Sequence, residues 1–126
     1  MSLQMIATLV PFGPLFAGDG GPALELHLLW DNGGFVQLQN AEVTVSVRRW
    51  DPRRKLPYGA VVTSGVATVG NAAEGVCTFA WADASPITSV PRDPGWYMLQ
   101  ARVTFASGEQ QHTQRAIVEV LPAGIL

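Results

Sequence analysis

The sequence has 126 residues, of which 48% are hydrophobic and only 14% charged, and its 8 Lys plus Arg against 10 Asp plus Glu leave a formal charge of -2. That length allows one domain, and so few charges among so many apolar residues exclude disorder as the main state. A pI near 5.5 removes the broad positive field of a non-specific nucleic-acid binder, and no apolar run reaches the roughly 18 residues that cross a bilayer as a helix, so neither nucleic acid nor membrane is expected as a partner.

Met1 to Val10 has no Lys or Arg ahead of its apolar residues and does not read as a signal peptide. Residues 1 to about 20 are expected to be an N-terminal strand or arm of a single domain over 1–126. Beyond them, 13 Gly and 9 Pro are spread along the chain, and the apolar residues between them recur with period two, the pattern of strands. Ala23 to Trp30 places Leu24, Leu26, Leu28 and Trp30 on one face and Glu25, His27 and Leu29 on the other. Asp31-Asn32-Gly33-Gly34 predicts a tight turn, after which Phe35 to Leu38 resumes the extended pattern.

Ala41 to Trp50 alternates again, with Val43, Val45 and Val47 opposite Glu42, Thr44, Ser46 and Arg48, and reads as a core strand. Asp51 to Gly59 contains two prolines and is expected to be an exposed loop. Ala60 to Val69 and Gly75 to Trp81 predict a hairpin, with Cys77 as a small core residue. Asp83 to Pro94, with three prolines and no period, predicts a crossing connection. From Trp96 to Phe105 the residues Tyr97, Leu99, Ala101, Val103 and Phe105 face inward; Ala106 to Glu109 is a turn, and Ala116, Val118 and Val120 mark a last strand. The fold class is therefore all-β: an immunoglobulin-like antiparallel two-sheet sandwich of 7–8 strands, without a disulfide because Cys77 has no partner.

Asp93-Pro94-Gly95-Trp96-Tyr97 is the sequence form of a tyrosine corner, in which a buried phenol bonds to backbone just upstream. Asp93, Gly95, Tyr97 and Leu99 are accordingly fold-forming. Catalysis has little to stand on: two His, one Cys and scattered carboxylates show no metal-ligand spacing, so no enzyme activity, metal or cofactor is expected. His27 and His112 read as solvated strand residues, and Asp19-Gly20-Gly21 and Asp31-Asn32-Gly33 as turns. The candidate partner-binding residues are Arg48, Arg49, Arg53, Arg54 and Lys55, five of the eight cations, flanked by Trp50 and Tyr58. Guanidinium groups beside aromatics are frequent anchors for acidic protein surfaces. Trp96 and Met98, on the outward register, form a second, apolar candidate.

Residues 36 to 48 (Val-Gln-Leu-Gln-Asn-Ala-Glu-Val-Thr-Val-Ser-Val-Arg), 74 to 81, 93 to 108 and the closing Ala-Ile-Val-Glu-Val resemble a family of small phage and prophage domains. These are the immunoglobulin-like N-terminal domains of baseplate upper proteins and related tail and virion proteins. The likeness covers about residues 20 to 121. It implies a non-enzymatic tail or baseplate adaptor, connector or head-decoration protein, present in the virion after assembly in the bacterial cytoplasm, with other virion proteins or further copies of itself as partners. The alternative is a carbohydrate-binding or adhesion module that stacks sugars on Trp50, Tyr58 and Trp96.

Overall fold

In the computed structural model, which describes residues 3–10, 15–20 and 23–122, the period-two segments are strands of two packed sheets. The smaller sheet joins β1 (Met5–Val10), β3 (Leu24–Trp30) and β6 (Val76–Phe79). The larger joins β2 (Leu15–Phe16), β9 (Ala116–Leu121), β7 (Gly95–Thr104) and β4 (Glu42–Asp51), with β8 (Gln110–His112) beside the far end of β7. β5 (Leu56–Asn71) belongs to both: residues 56–67 pair with β4 and residues 68–71 with β6, so one long strand bends from one sheet into the other. The ladders are antiparallel apart from β2 with β9.

This is the expected all-β sandwich with nine strands among the described residues, two of them only two and three residues long. Leu24, Leu26 and Leu28 from one sheet meet Val43, Val45, Val47, Tyr97, Leu99, Ala101 and Val103 from the other, all buried in one core cluster. Cys77 lies in the same cluster, and burial pushes its thiol up to about 11. The predicted turns form. Gly33 N–H donates to Trp30 O at 2.9 Å, and Gly108 N–H to Phe105 O at 2.8 Å.

Three expectations need correction. The exposed loop expected over Asp51 to Gly59 shrinks to the turn 52–55: β4 continues to Asp51, β5 begins at Leu56, and Pro57 pairs opposite Trp50. A proline is tolerated there because β5 at this point pairs only with β4 and has an open edge on its other side among the described residues; further on, between Val47 and Arg49, the ladder is irregular and β5 carries extra residues. Phe35 to Leu38 makes a single bridge, Phe35 to Leu29, and no strand; Val36 and Leu38 are buried all the same, their amides donating to Leu28 O and Ala72 O. Trp81 leaves β6 and starts a 3-10 turn, Trp81–Asp83, which opens the predicted crossing from the smaller sheet to the larger. Gly21 of the first candidate turn lies outside the described residues.

Candidate functional site

The five cations expected in one loop fall into three settings. Arg49 is turned onto the corner: its Nη2 donates to the Asp93 carboxylate at 2.6 Å, and its guanidinium lies 5.5 Å from the Tyr97 ring centroid. The Tyr58 phenol beside it, ahead of Tyr97 and Asp93, holds Arg49 above the usual arginine pKa. Tyr97 is buried, its hydroxyl donates to Asp93 O at 2.6 Å, and burial raises its pKa. Asp93 therefore closes the corner twice, with its carbonyl for Tyr97 and its carboxylate for Arg49, while Gly95 supplies a φ of +140° that other residues rarely adopt. Arg49 thus serves the fold and leaves the set of free partner-binding candidates.

Arg53, Arg54 and Lys55 form the tip of the β4–β5 hairpin. Asp51 organises that tip: its Oδ1 accepts from the amides of Arg53 (2.9 Å) and Arg54 (3.3 Å), and its carbonyl accepts from Lys55 N–H (2.8 Å). With the carboxylate turned onto backbone amides, the nearest ion pair at the tip is Arg54 to Asp51 at 3.9 Å. All three cations are exposed, as are Leu56 and Tyr58 behind them.

Arg48 points to neither place. It stands on the outer face of the larger sheet, where its Nε and Nη2 both donate to Gly59 O, at 3.1 and 2.7 Å. There it borders a groove of about 410 Å³ that also receives Arg102, His112 and Arg115. Trp50 is half-buried, with the Arg115 guanidinium 5.8 Å from its ring centroid. Of the apolar pair, Trp96 is 40% exposed as expected but Met98 is only 3% exposed. Met98 does occupy the outward register, between Arg48 on β4 and Ile117 on β9, and it stands outside the inner core cluster. Long neighbours on both sides cover it, so Met98 is groove floor and no free apolar patch.

Sequence reasoning missed Arg102, His112 and Arg115. They lie 54 to 67 positions beyond Arg48; the β4–β7 and β7–β8 registers set Thr44, Arg102 and His112 in one row, and the β7–β9 register, Leu99 opposite Ala116, brings Arg115 beside them. The one available signal was the outward register of Arg102 on the alternating strand. His27 does sit on an outer face, bonded to the Glu25 carboxylate at 2.6 Å. Among the described residues no three of His, Cys, Asp and Glu gather where one metal ion could be held.

No protein-family model and no curated protein matches this chain. Among solved structures, that of CopC from Methylosinus trichosporium OB3b is similar, with a TM-score of 0.50 and 15% identity over 99% of each chain. At that identity the likeness speaks for the fold. That neighbour is CopC and not a phage or virion protein, which corrects the functional expectation of a phage or prophage structural protein, and its sugar-binding alternative, drawn from the sequence. The residues that carried that expectation are alternating strands and a tyrosine corner. Those features build a sandwich whatever the sandwich does.

Proposed function

We propose that this chain is a non-enzymatic recognition module that binds an acidic surface of a partner protein through the tip of the β4–β5 hairpin. The supporting observation is the turned-in Asp51 carboxylate, which holds the tip backbone while leaving Arg53, Arg54 and Lys55 exposed with no counterion nearer than 3.9 Å among the described residues. In a chain of net charge -2, three adjacent cations on a fixed turn create a local field that can steer and orient an acidic partner. Leu56 and Tyr58, 53% and 49% exposed, supply apolar area directly behind the charges.

The test is retention on immobilised polyglutamate at low salt. A net acidic protein is expected to be repelled by that matrix, so retention of the parent, lost when Arg53, Arg54 and Lys55 are all changed to Ser with the melting temperature unchanged, supports the tip as the contact. A parent that flows through, or a triple variant retained as well as the parent, sinks this reading.

A further inference from the structure

We infer that the groove on the outer face of the larger sheet is a second binding site, one that seats an extended acidic segment of the same partner. This rests on the recognition reading above and adds a site and an occupant to it. Three of the chain's eight cations, Arg48, Arg102 and Arg115, border the groove. No carboxylate lines it, and among the described residues none of the three makes an ion pair. Uncompensated guanidinium groups around one concavity repel each other unless an anion lies between them. Their geometry is also partly set in advance: Arg48 is fixed by its two bonds to Gly59 O, and Arg115 lies over the Trp50 ring. Cations already held in place lose less side-chain freedom when a ligand arrives.

Strand spacing decides what kind of anion fits. Arg102 stands opposite Thr44 in the β4–β7 ladder, and Arg48 lies four residues further along β4. At about 3.3 Å per residue their Cα atoms are separated by roughly 13 Å along the strand direction. That is also the separation of side chains four apart on one face of an extended chain. An extended segment with acidic residues at alternate positions can therefore meet Arg48 and Arg102 together. Ser46 and Gln100, facing one another between them, offer polar contacts midway, and Met98 floors the groove. The track is continuous with the hairpin tip, because Trp50 lies beneath Arg115 and also lines the neighbouring cleft with Arg54 and Tyr58.

The experiment is fluorescence anisotropy with a labelled (Glu-Thr)4 peptide at low salt, with (Lys-Thr)4 as the charge-reversed probe and citrate and inorganic phosphate as competitors. The expected result is saturable binding of the Glu peptide alone, weakened about tenfold or more by Arg102→Glu and by Arg115→Glu, and at least severalfold by the milder Arg102→Gln. Citrate or phosphate competing at the peptide's own concentration would make this a small-anion site and overturn the segment. Equal binding of the Lys peptide, or groove variants that bind like the parent, would overturn it too. Unfolded variants are recognised by their melting curves, and the Gln variant then decides. If groove changes are silent while the Ser triple variant still loses polyglutamate retention, this inference fails and the tip reading stands. If the tip variant is silent and groove variants lose the peptide, the tip reading fails and the groove is the site.

Discussion

The outer faces of the two sheets follow the same alternating pattern and dispose of their charges in opposite ways. On the smaller sheet, Glu25 and His27 are two apart on β3, so they share a face, and they bond each other at 2.6 Å. On the larger sheet the outward charges include Arg48, Arg102 and Arg115, which find no carboxylate among the described residues. Two side chains bonded to each other on one face leave nothing for a ligand to satisfy, whereas like charges brought to one groove by different strands leave an unmet charge. Binary patterning fixes which face a charge occupies, and the order of the strands fixes what it meets there.

The largest effect that would test this contrast lies behind the smaller sheet. Gly75 ends the 3-10 turn Ala72–Glu74 at φ +69°, and its carbonyl accepts from Leu28 N–H at 2.8 Å. A Cβ at that position would stand 2.4 Å from Leu28 O and 2.9 Å from Val36 O, both backbone atoms that cannot step aside. Gly75→Ala should cost about 3 kcal/mol or more by urea unfolding, the size expected when a backbone clash adds to left-handed strain. A loss below about 1 kcal/mol would mean that this side of the molecule yields, and that its closed pairing is no sign of rigidity.

On the larger sheet the corner should matter less. Tyr97→Phe removes the 2.6 Å bond to Asp93 O and leaves the ring in the core, so a loss of about 1 kcal/mol is expected. Because Asp93 also holds Arg49, Asp93→Ala should loosen Arg49 without freeing the tip cations, and polyglutamate retention should stay at the parent level. Stronger retention would show that Arg49 belongs with the free cations after all.

Cys77 supplies a pH test of the core beneath the smaller sheet. Its thiol is neutral when protonated, and burial raises its pKa from 9.0 to about 11. Between those values the unfolded chain has released a proton that the folded chain still holds, so stability falls as pH rises from 9 toward 11. Cys77→Ala should flatten that decline. Equal slopes for parent and variant would show that the thiol is not buried in solution.

The corner, the core face of β7 and the place of Cys77 were legible in the sequence because each depends on residues close together: Asp93, Gly95, Tyr97 and Leu99 lie within seven positions. The groove was not legible, since Arg48, Arg102 and Arg115 become neighbours only through pairings far apart in the chain. The basic cluster shows the other limit. Arg48 and Arg49 are adjacent, and the plain alternation of β4, unbroken against β7, sends one to the groove and the other to Asp93 and Tyr97. Counting cations along the chain as one cluster ignores the face that each of them occupies.

The smallest effect distinguishes a tip built for presentation from one built for stability. Lys55 adopts φ +56°, a left-handed conformation that costs a lysine roughly 1 kcal/mol and an asparagine less. The lysine charge makes no ion pair among the described residues, so the side chain itself offsets none of that strain. Lys55→Asn should therefore raise stability by a few tenths of a kcal/mol, read from the urea midpoint at constant slope. The same change removes one of the three tip cations and should weaken polyglutamate retention. A variant that is both more stable and less well retained is the expected signature of strain kept for binding. If it is more stable and equally well retained, the lysine charge contributes nothing to recognition and the contact rests on Arg53 and Arg54. If stability falls instead, Lys55 supports the turn, and the strain was kept for the fold.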